Sequence, residues 1–329
     1  MSITYHERPG VYVEYDTTSR SAARAGRVAG IAALGTGSGL YRFASVEAAL
    51  SVFPASTDLG KMLALAFGNG ASTVLCCPVA ADYGPAFALL LPEADVIATD
   101  CRNADALADL AEALCAEGAK ECIAVADSDD SIANLCALAQ SLNCERLVLT
   151  RECGAAGLAA AALAGLISAG DDPALPLSGA ALEGLEGTDT PTDSEVDTLV
   201  RAGVTPLEAV GGTVRVVRAV TTRTATGGVA DDTWRELSTV LIVDDVIPAV
   251  RDALRAKFLR RKNTAVTRNA IRAQTAILLD DRVRREIIEG YDSLRVEPVT
   301  GDPTACEVSF TFRVVQGLLR IHLYAHILV

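Results

Sequence analysis

The chain has 329 residues, half of them apolar, with 42 Asp and Glu against 29 Lys and Arg and a formal charge of -13. That length supports a buried core divided over two or more domains, and the acidic balance argues against a general nucleic-acid binder, which would present a basic field. No apolar run reaches the ~20 residues of a membrane-spanning helix, so insertion into a membrane is not expected.

The opening MSITYHERPG has neither the basic start nor the apolar core of a signal peptide, so a soluble protein made in the cytoplasm is expected. Acidic residues dominate up to about residue 244, whereas the remainder carries an excess of Lys and Arg, so the two parts are expected to face different neighbours. The nine cysteines form no CxxC pair. Cys76, Cys77, Cys115, Cys122 and Cys136 stand where apolar residues belong and read as small hydrophobes in a reducing compartment. With three His in the chain, a Cys/His metal site has few ligands to draw on, and no metal or cofactor is expected. Cys306, beside Glu307 near the C-terminal end, leaves an intersubunit disulfide open.

In chain order, PGVYVEY (9–15) alternates as a short strand with Val11, Val13 and Tyr15 on one side, and DTTSRSAARAG reads as a flexible linker. VAGIAALGTGSG ends in a glycine cluster that lacks the Lys-Ser/Thr of a phosphate loop and reads as a turn. Helical SVEAALSVF and LGKMLALAFGNG lead to the strand STVLCCPV.

Residues 95–168 repeat one unit. DVIAT precedes a helix from about Asn103 to Glu117, CIAVAD a helix from about Asp130 to Leu142, and RLVLT the Ala-rich AAGLAAAALAGLISAG. Strands alternating with helices predict βαβ units and a mainly parallel, twisted sheet. Ligands in such sheets sit at the carboxyl ends of the strands, where Asp100, Asp127 and Asp129 fall. Those carboxylates fit either a nucleotide or metal site or a set of helix caps.

Residues 169–212 are rich in turn signals, the strand GTVRVVRAVTTRT follows, and TATGGVADD reads as a linker. Trp234 then introduces an apolar strand-to-helix segment, LSTVLIVDDVIPAVRDALRAKFLRRKN. Ile247, Val250, Leu254 and Phe258 recur at helical spacing as one buried stripe, with Pro248 expected in the first helical turn. A second helix is expected from about Ala265 to Leu279. A hairpin should finish the chain, with Val308, Phe310, Phe312 and Val314 on one strand and Leu319, Ile321, Leu323, Ala325 and Ile327 on the other.

Several of these stretches together resemble the contractile tail sheath proteins of phages, tailocins and related injection devices. ERPGVYVEY is similar to that family's Pro-Gly-Val-Tyr-Val-Glu opening, and FGNGASTVLCCPV to its Phe-x-Asn-Gly-Gly segment before a strand. ALAGLISAGDDPALPLSGAALEGLEG resembles the passage before the family's mid-chain loop, and DDTWRELSTVLIVDDVIPAVRDAL the Trp-led start of its C-terminal domain. AGVTPLEAVGGTVRVVRAVTTRT resembles its Gly-Val-Asn…Gly…Arg-Val-Trp-Gly strand, with Val217 in place of the usual Trp.

The resemblance implies an α/β chain, α+β overall, in three parts. Residues 1–26 would be a strand-donating arm and linker, and 27–226 an outer region made of a small part (27–85) and a βαβ sheet domain (86–226). Residues 227–329 would be an inner domain whose mixed sheet is completed by arms from neighbouring copies. Pro9, Gly10, Val11, Tyr12 and Val13 would form one arm, and Leu319, Ile321, Leu323, Ala325 and Ile327 the other, by β-augmentation. Lys257, Arg260, Arg261 and Lys262, with Arg255 beside them, would face a tail tube.

The partners so implied are further copies in helically stacked, hexameric rings, the tube protein, and baseplate and tail terminator proteins, in a virion tail or tail-like particle assembled in the bacterial host cytoplasm. Direct contact with nucleic acid is not implied. The residues alone leave two other readings open: an α/β enzyme that binds a nucleotide or metal at Asp100, Asp127 and Asp129, and an adaptor that augments another protein's sheet.

Overall fold

The computed structural model describes residues 26–187, 190–320 and 323–324. Its first part is built on a seven-stranded sheet. β1 (Ala29–Leu34) runs out to a glycine turn, after which β2 (Tyr41–Phe43), α1 (Val46–Val52) and α2 (Asp58–Gly68) lead to β3 (Val74–Val79). Ser45 and Thr57 cap α1 and α2 by accepting from the main-chain N–H groups of Ala48 and Gly60. α3 (Gly84–Leu90), which the sequence reading passed over, precedes β4 (Val96–Thr99).

The predicted repeat follows as α4 (Ala104–Leu114), β5 (Ile123–Ser128), α5 (Ile132–Leu142), β6 (Leu147–Arg151) and α6 (Leu158–Ala169). The expected helix to Glu117 stops a turn early, at Leu114, and Gly118 beyond it takes a φ of 77°. Beyond lie β7 (Ala181–Leu182), α7 (Asp193–Ala202), β8 (Val204–Thr205), β9 (Leu207–Val210) and β10 (Thr213–Val216). The strand order is β2-β3-β1-β4-β5-β6-β8, parallel except where β2 meets β3.

Alternation along the strands separates two apolar layers. On β1, Ala29, Ile31 and Ala33 face a core shared with α2 and α6, while Ala32 faces the core under α3, α4, α5 and α7. α6 is buried almost all round, which explains its run of alanines. A Cβ on its Gly165 would stand 2.5 Å from the carbonyl oxygen of Ala66, so glycine is what lets α6 and α2 approach so closely.

Two segments expected to be irregular have structure. α7 lies in the turn-rich passage, and its signal is a capping box: Thr192 accepts from the Glu195 main-chain N–H, and the Glu195 side chain accepts from that of Thr192. TATGGVADD is a tight hairpin of β11 (Ala225–Thr226) and β12 (Val229–Ala230), turning through Gly227 and Gly228 at φ 59° and 79°. The strand expected over GTVRVVRAVTTRT ends at Val216, within a small sheet of order β7-β10-β9.

The last part holds α8 (Leu237–Phe258), α9 (Ala265–Arg284), β13 (Ile288–Pro298) and β14 (Cys306–Val314). No strand precedes α8 there: LSTVLIV is its first turns, and Pro248 lies mid-helix instead of in the first turn. The run is apolar on several faces because α8 serves two cores. Leu237, Val240 and Leu241 pack with the sheet, and Ile242, Val246, Val250 and Leu254 pack with α9 and the ribbon β13–β14. The expected stripe holds, with Ile247, Val250 and Leu254 buried and Phe258 partly so.

Among the described residues β14 has another partner than the expected strand at 319–327, of which 321, 322 and 325–327 lie outside them. β14 pairs with β13, antiparallel, with Val296 opposite Val308 and Tyr291 opposite Phe312. The segment after Val314 forms no strand among the described residues. β13 escapes a periodicity reading because register shifts at Ile288/Gly290 and Asp292/Arg295, with Ser293 at φ 57°, switch its inward phase.

Candidate assembly interface

The ribbon β13–β14 is polar on one face and apolar on the other. Val308, Phe310, Phe312 and Val314 point toward α8 and α9, while Glu307, Ser309, Thr311 and Arg313 are exposed. Among the described residues neither outer edge pairs with another strand, which leaves eleven residues of β13 and nine of β14 with one open side each. Open edges of this length recruit further strands unless something covers them.

At the far end of α8 the four predicted basic residues come together. Lys257 sits in the last helical turn and donates to Gln274 Oε1 of α9 at 2.5 Å. Arg260, at φ 69°, turns the chain out of the helix, and Arg261 and Lys262 follow. All four are exposed, as is Arg255, and none makes an ion pair among the described residues. Asn263 fixes the loop by donating to the carbonyls of Pro303 and Ala305, both at 3.0 Å, in the turn of the ribbon. The basic tip and the ribbon's turn therefore form one end of the domain.

Of the predicted arms, Pro9, Gly10, Val11, Tyr12, Val13, Ile321, Ala325 and Ile327 lie outside the described residues. Leu319, 40 % exposed, lines a shallow cleft with Leu175, Pro176, Glu236 and Leu241. Leu323 is 88 % exposed and outside any strand.

The carboxylates at the strand ends are engaged internally. Asp100 accepts from the Leu34 main-chain N–H at 2.9 Å and from the Tyr83 hydroxyl at 2.7 Å, and burial raises its pKa. Asp127 accepts from the N–H groups of Gly157 and Ala160 at the start of α6, at 2.8 and 3.2 Å. Burial pushes Asp127 up to about 6 despite those bonds. Asp129 pairs with Arg102 at 2.9 Å. Strand-end bonding, helix capping and an ion pair thus engage Asp100, Asp127 and Asp129 in turn, and no described helix is long and apolar enough to cross a membrane.

Residues 229–327 match the phage tail sheath C-terminal domain. A stretch of 135 residues, 41 % of this chain, is 30 % identical to the tail sheath protein of Bacillus phage SP01, and the match spans 23 % of that protein's length. Among solved structures, the anti-feeding prophage helical sheath in its contracted state superposes with a TM-score of 0.71 at 18 % identity, covering 98 % of this chain and 99 % of that one. The anti-feeding prophage baseplate gives 0.73 at 17 % identity, covering 99 % and 100 %. The sheath tail protein from Desulfitobacterium hafniense gives 0.68 at 10 % identity, covering 93 % and 100 %. The chain thus resembles a contractile tail sheath protein: residues 229–327 match that family's C-terminal domain, and the described residues share the fold of solved sheath proteins.

Proposed function

We propose that the chain is the subunit of a contractile tail sheath. Copies polymerise as helically stacked, hexameric rings around a tail tube, and a baseplate signal releases this extended lattice into a shorter, wider one that drives the tube through a target envelope. The energy is stored in a bistable assembly, not drawn from a nucleotide. Residues 27–226 face outward and 227–329 inward, with Lys257, Arg260, Arg261 and Lys262 against the tube. The particle is a virion tail or tail-like device put together in the host cytoplasm, capped by baseplate and terminator proteins.

The observation that carries this reading is the two-stranded ribbon, unpaired on both outer edges among the described residues, inside the stretch that matches a tail sheath C-terminal domain. Strands at residues 9–13 and 319–327 of neighbouring copies fit those edges by main-chain hydrogen bonding. Heterologous contacts of that kind propagate without closing on themselves, as a tubular polymer requires.

Negative-stain electron microscopy of the full chain, co-expressed with its tube protein, tests the reading beside a chain lacking residues 1–20. Tubes or stacked rings from the full chain, lost with the arm, are expected. Small uniform particles from both would overturn it and favour an adaptor.

A further inference from the structure

We propose that Cys115 and Cys144 form a dithiol modification site that oxidises to an intramolecular disulfide by exchange with a low-molecular-weight disulfide. The inference rests on side chains of the sheet domain and is independent of the proposed function.

The two sulfurs lie 3.2 Å apart, contributed by positions 29 residues apart in the chain. Cys115 is the exposed C-cap of α4, and Cys144 is buried just beyond α5. Asn143 places Cys144 there by ending α5 in the left-handed conformation, at φ 38° and ψ 49°. Cys144 is then pinned on both sides. Its main-chain N–H donates to Thr222 Oγ1, and that hydroxyl donates to the Cys144 carbonyl, both at 3.0 Å. The Arg146 main-chain N–H points at its sulfur from 3.3 Å. A reagent can approach at the exposed residue Cys115, while Cys144 is buried and held beside it.

Charge favours the same division of labour. The hydrogen bond from Cys144 lowers the Cys115 pKa, and the Arg146 and Arg223 guanidinium groups act in the same direction, against burial and the Glu145 carboxylate. Cys144 is pushed the other way, chiefly by the same hydrogen bond and by burial. Cys115 is therefore the attacking thiolate. Glu145 completes a set of three metal-type donors with the two thiols, but its carboxylate is engaged by Arg223 at 3.2 Å. Two sulfurs with an occupied third donor suit oxidation better than a metal ion.

The chemistry closes in two steps. The Cys115 thiolate attacks one sulfur of the small disulfide, forming a mixed disulfide and expelling one thiolate. The Cys144 thiol then loses its proton and attacks Cys115 Sγ, forming the protein disulfide and expelling the second thiolate. Two protein thiols are oxidised and one small disulfide is reduced to two thiols. The product ties the end of α4 to the lead-in of β6, beside Arg146.

Oxidised glutathione is the probe, applied to the native full chain and followed by tryptic mass spectrometry. The expected product joins peptide 103–120 to peptide 121–146 through Cys115 and Cys144, with loss of two hydrogens and a rise of several degrees in Tm. Cys144→Ser should stop at the mixed disulfide on Cys115, and Cys115→Ser should slow loss of the Cys144 thiol at least about tenfold. A stable mixed disulfide on Cys115 of the unaltered chain would overturn the proposal, as would pairing of Cys144 with Cys122 or Cys136. So would thiols that react only after unfolding, or stoichiometric Zn2+ capture by the pair.

Discussion

Arg146 and Asp244 are buried against each other across 98 residues of chain, joined by two guanidinium-to-carboxylate bonds of 3.0 and 2.8 Å. One stands at the lead-in of β6 and the other on α8, where that helix passes from the sheet's core to the core of the ribbon. Both terminal guanidinium nitrogens meet the carboxylate, and at 1 % and 5 % side-chain exposure neither charge has water to fall back on. Asp244→Ala removes both of these bonds from the buried guanidinium and should cost about 3–5 kcal/mol in denaturant unfolding. A loss below about 1 kcal/mol would mean that the pair does not fasten α8.

Glu121, next to that pair, has a different character. It is 1 % exposed, neither carboxylate oxygen has a hydrogen-bond partner, and Arg251 Nη1 is 3.6 Å away. Burial, with Asp244 adding to it and Arg251 and Arg146 opposing it, raises its pKa from the ordinary 4.5 to about 8. Between those values the folded chain keeps a proton that the unfolded chain has released, so this group's contribution to stability is lost as pH rises from about 4.5 to about 8. Glu121→Gln should flatten the dependence of unfolding free energy on pH across that window. Identical slopes for the two chains would refute the assignment.

Asp127 caps the start of α6 from the end of β5. Asp127→Ala should then destabilise the chain by about 1–3 kcal/mol, as the N–H groups of Gly157 and Ala160 lose their acceptor. A thermal-shift screen of the unaltered chain with nucleotides and divalent metals should be flat. A ligand shift that disappears in the variant would revive the enzyme reading.

The basic tip makes a prediction about assembly alone. Lys257, Arg260, Arg261 and Lys262 are exposed, so changing all four to Glu should leave the circular dichroism spectrum and Tm nearly unchanged. The same variant should fail to co-sediment with tail tube. Normal co-assembly would remove these residues from the tube-facing surface.

Where the sequence was legible, the reason is physical. DVIAT, CIAVAD and RLVLT are short apolar runs buried on both faces and separated by helical periodicity, so strand and helix patterns are distinct there. α8 defeats the same method because two cores claim it, and a helix apolar on several faces has no clear period. β13 defeats it because its irregularities reverse the alternation, so the strand that pairs with β14 shows no single period. α7 was hidden by its polar composition, although Thr192 and Glu195 mark its start. At the candidate interface, the clustering of the four basic residues was readable from their adjacency. The open ribbon they adjoin was not, because it depends on the register of β13.

Among the described residues a ribbon of two strands has a valence of two, one free edge on each side. If each copy also offers two arms, donors and acceptors are stoichiometrically balanced, and the product is a woven mesh, not a string of beads. Such a mesh responds to impurities as a step-growth polymer does. A small fraction of chains lacking residues 1–20 would act as defects, each still accepting two neighbours' strands but donating only its C-terminal one. Doping intact subunits with that truncated chain should shorten the tubes in proportion to the fraction added.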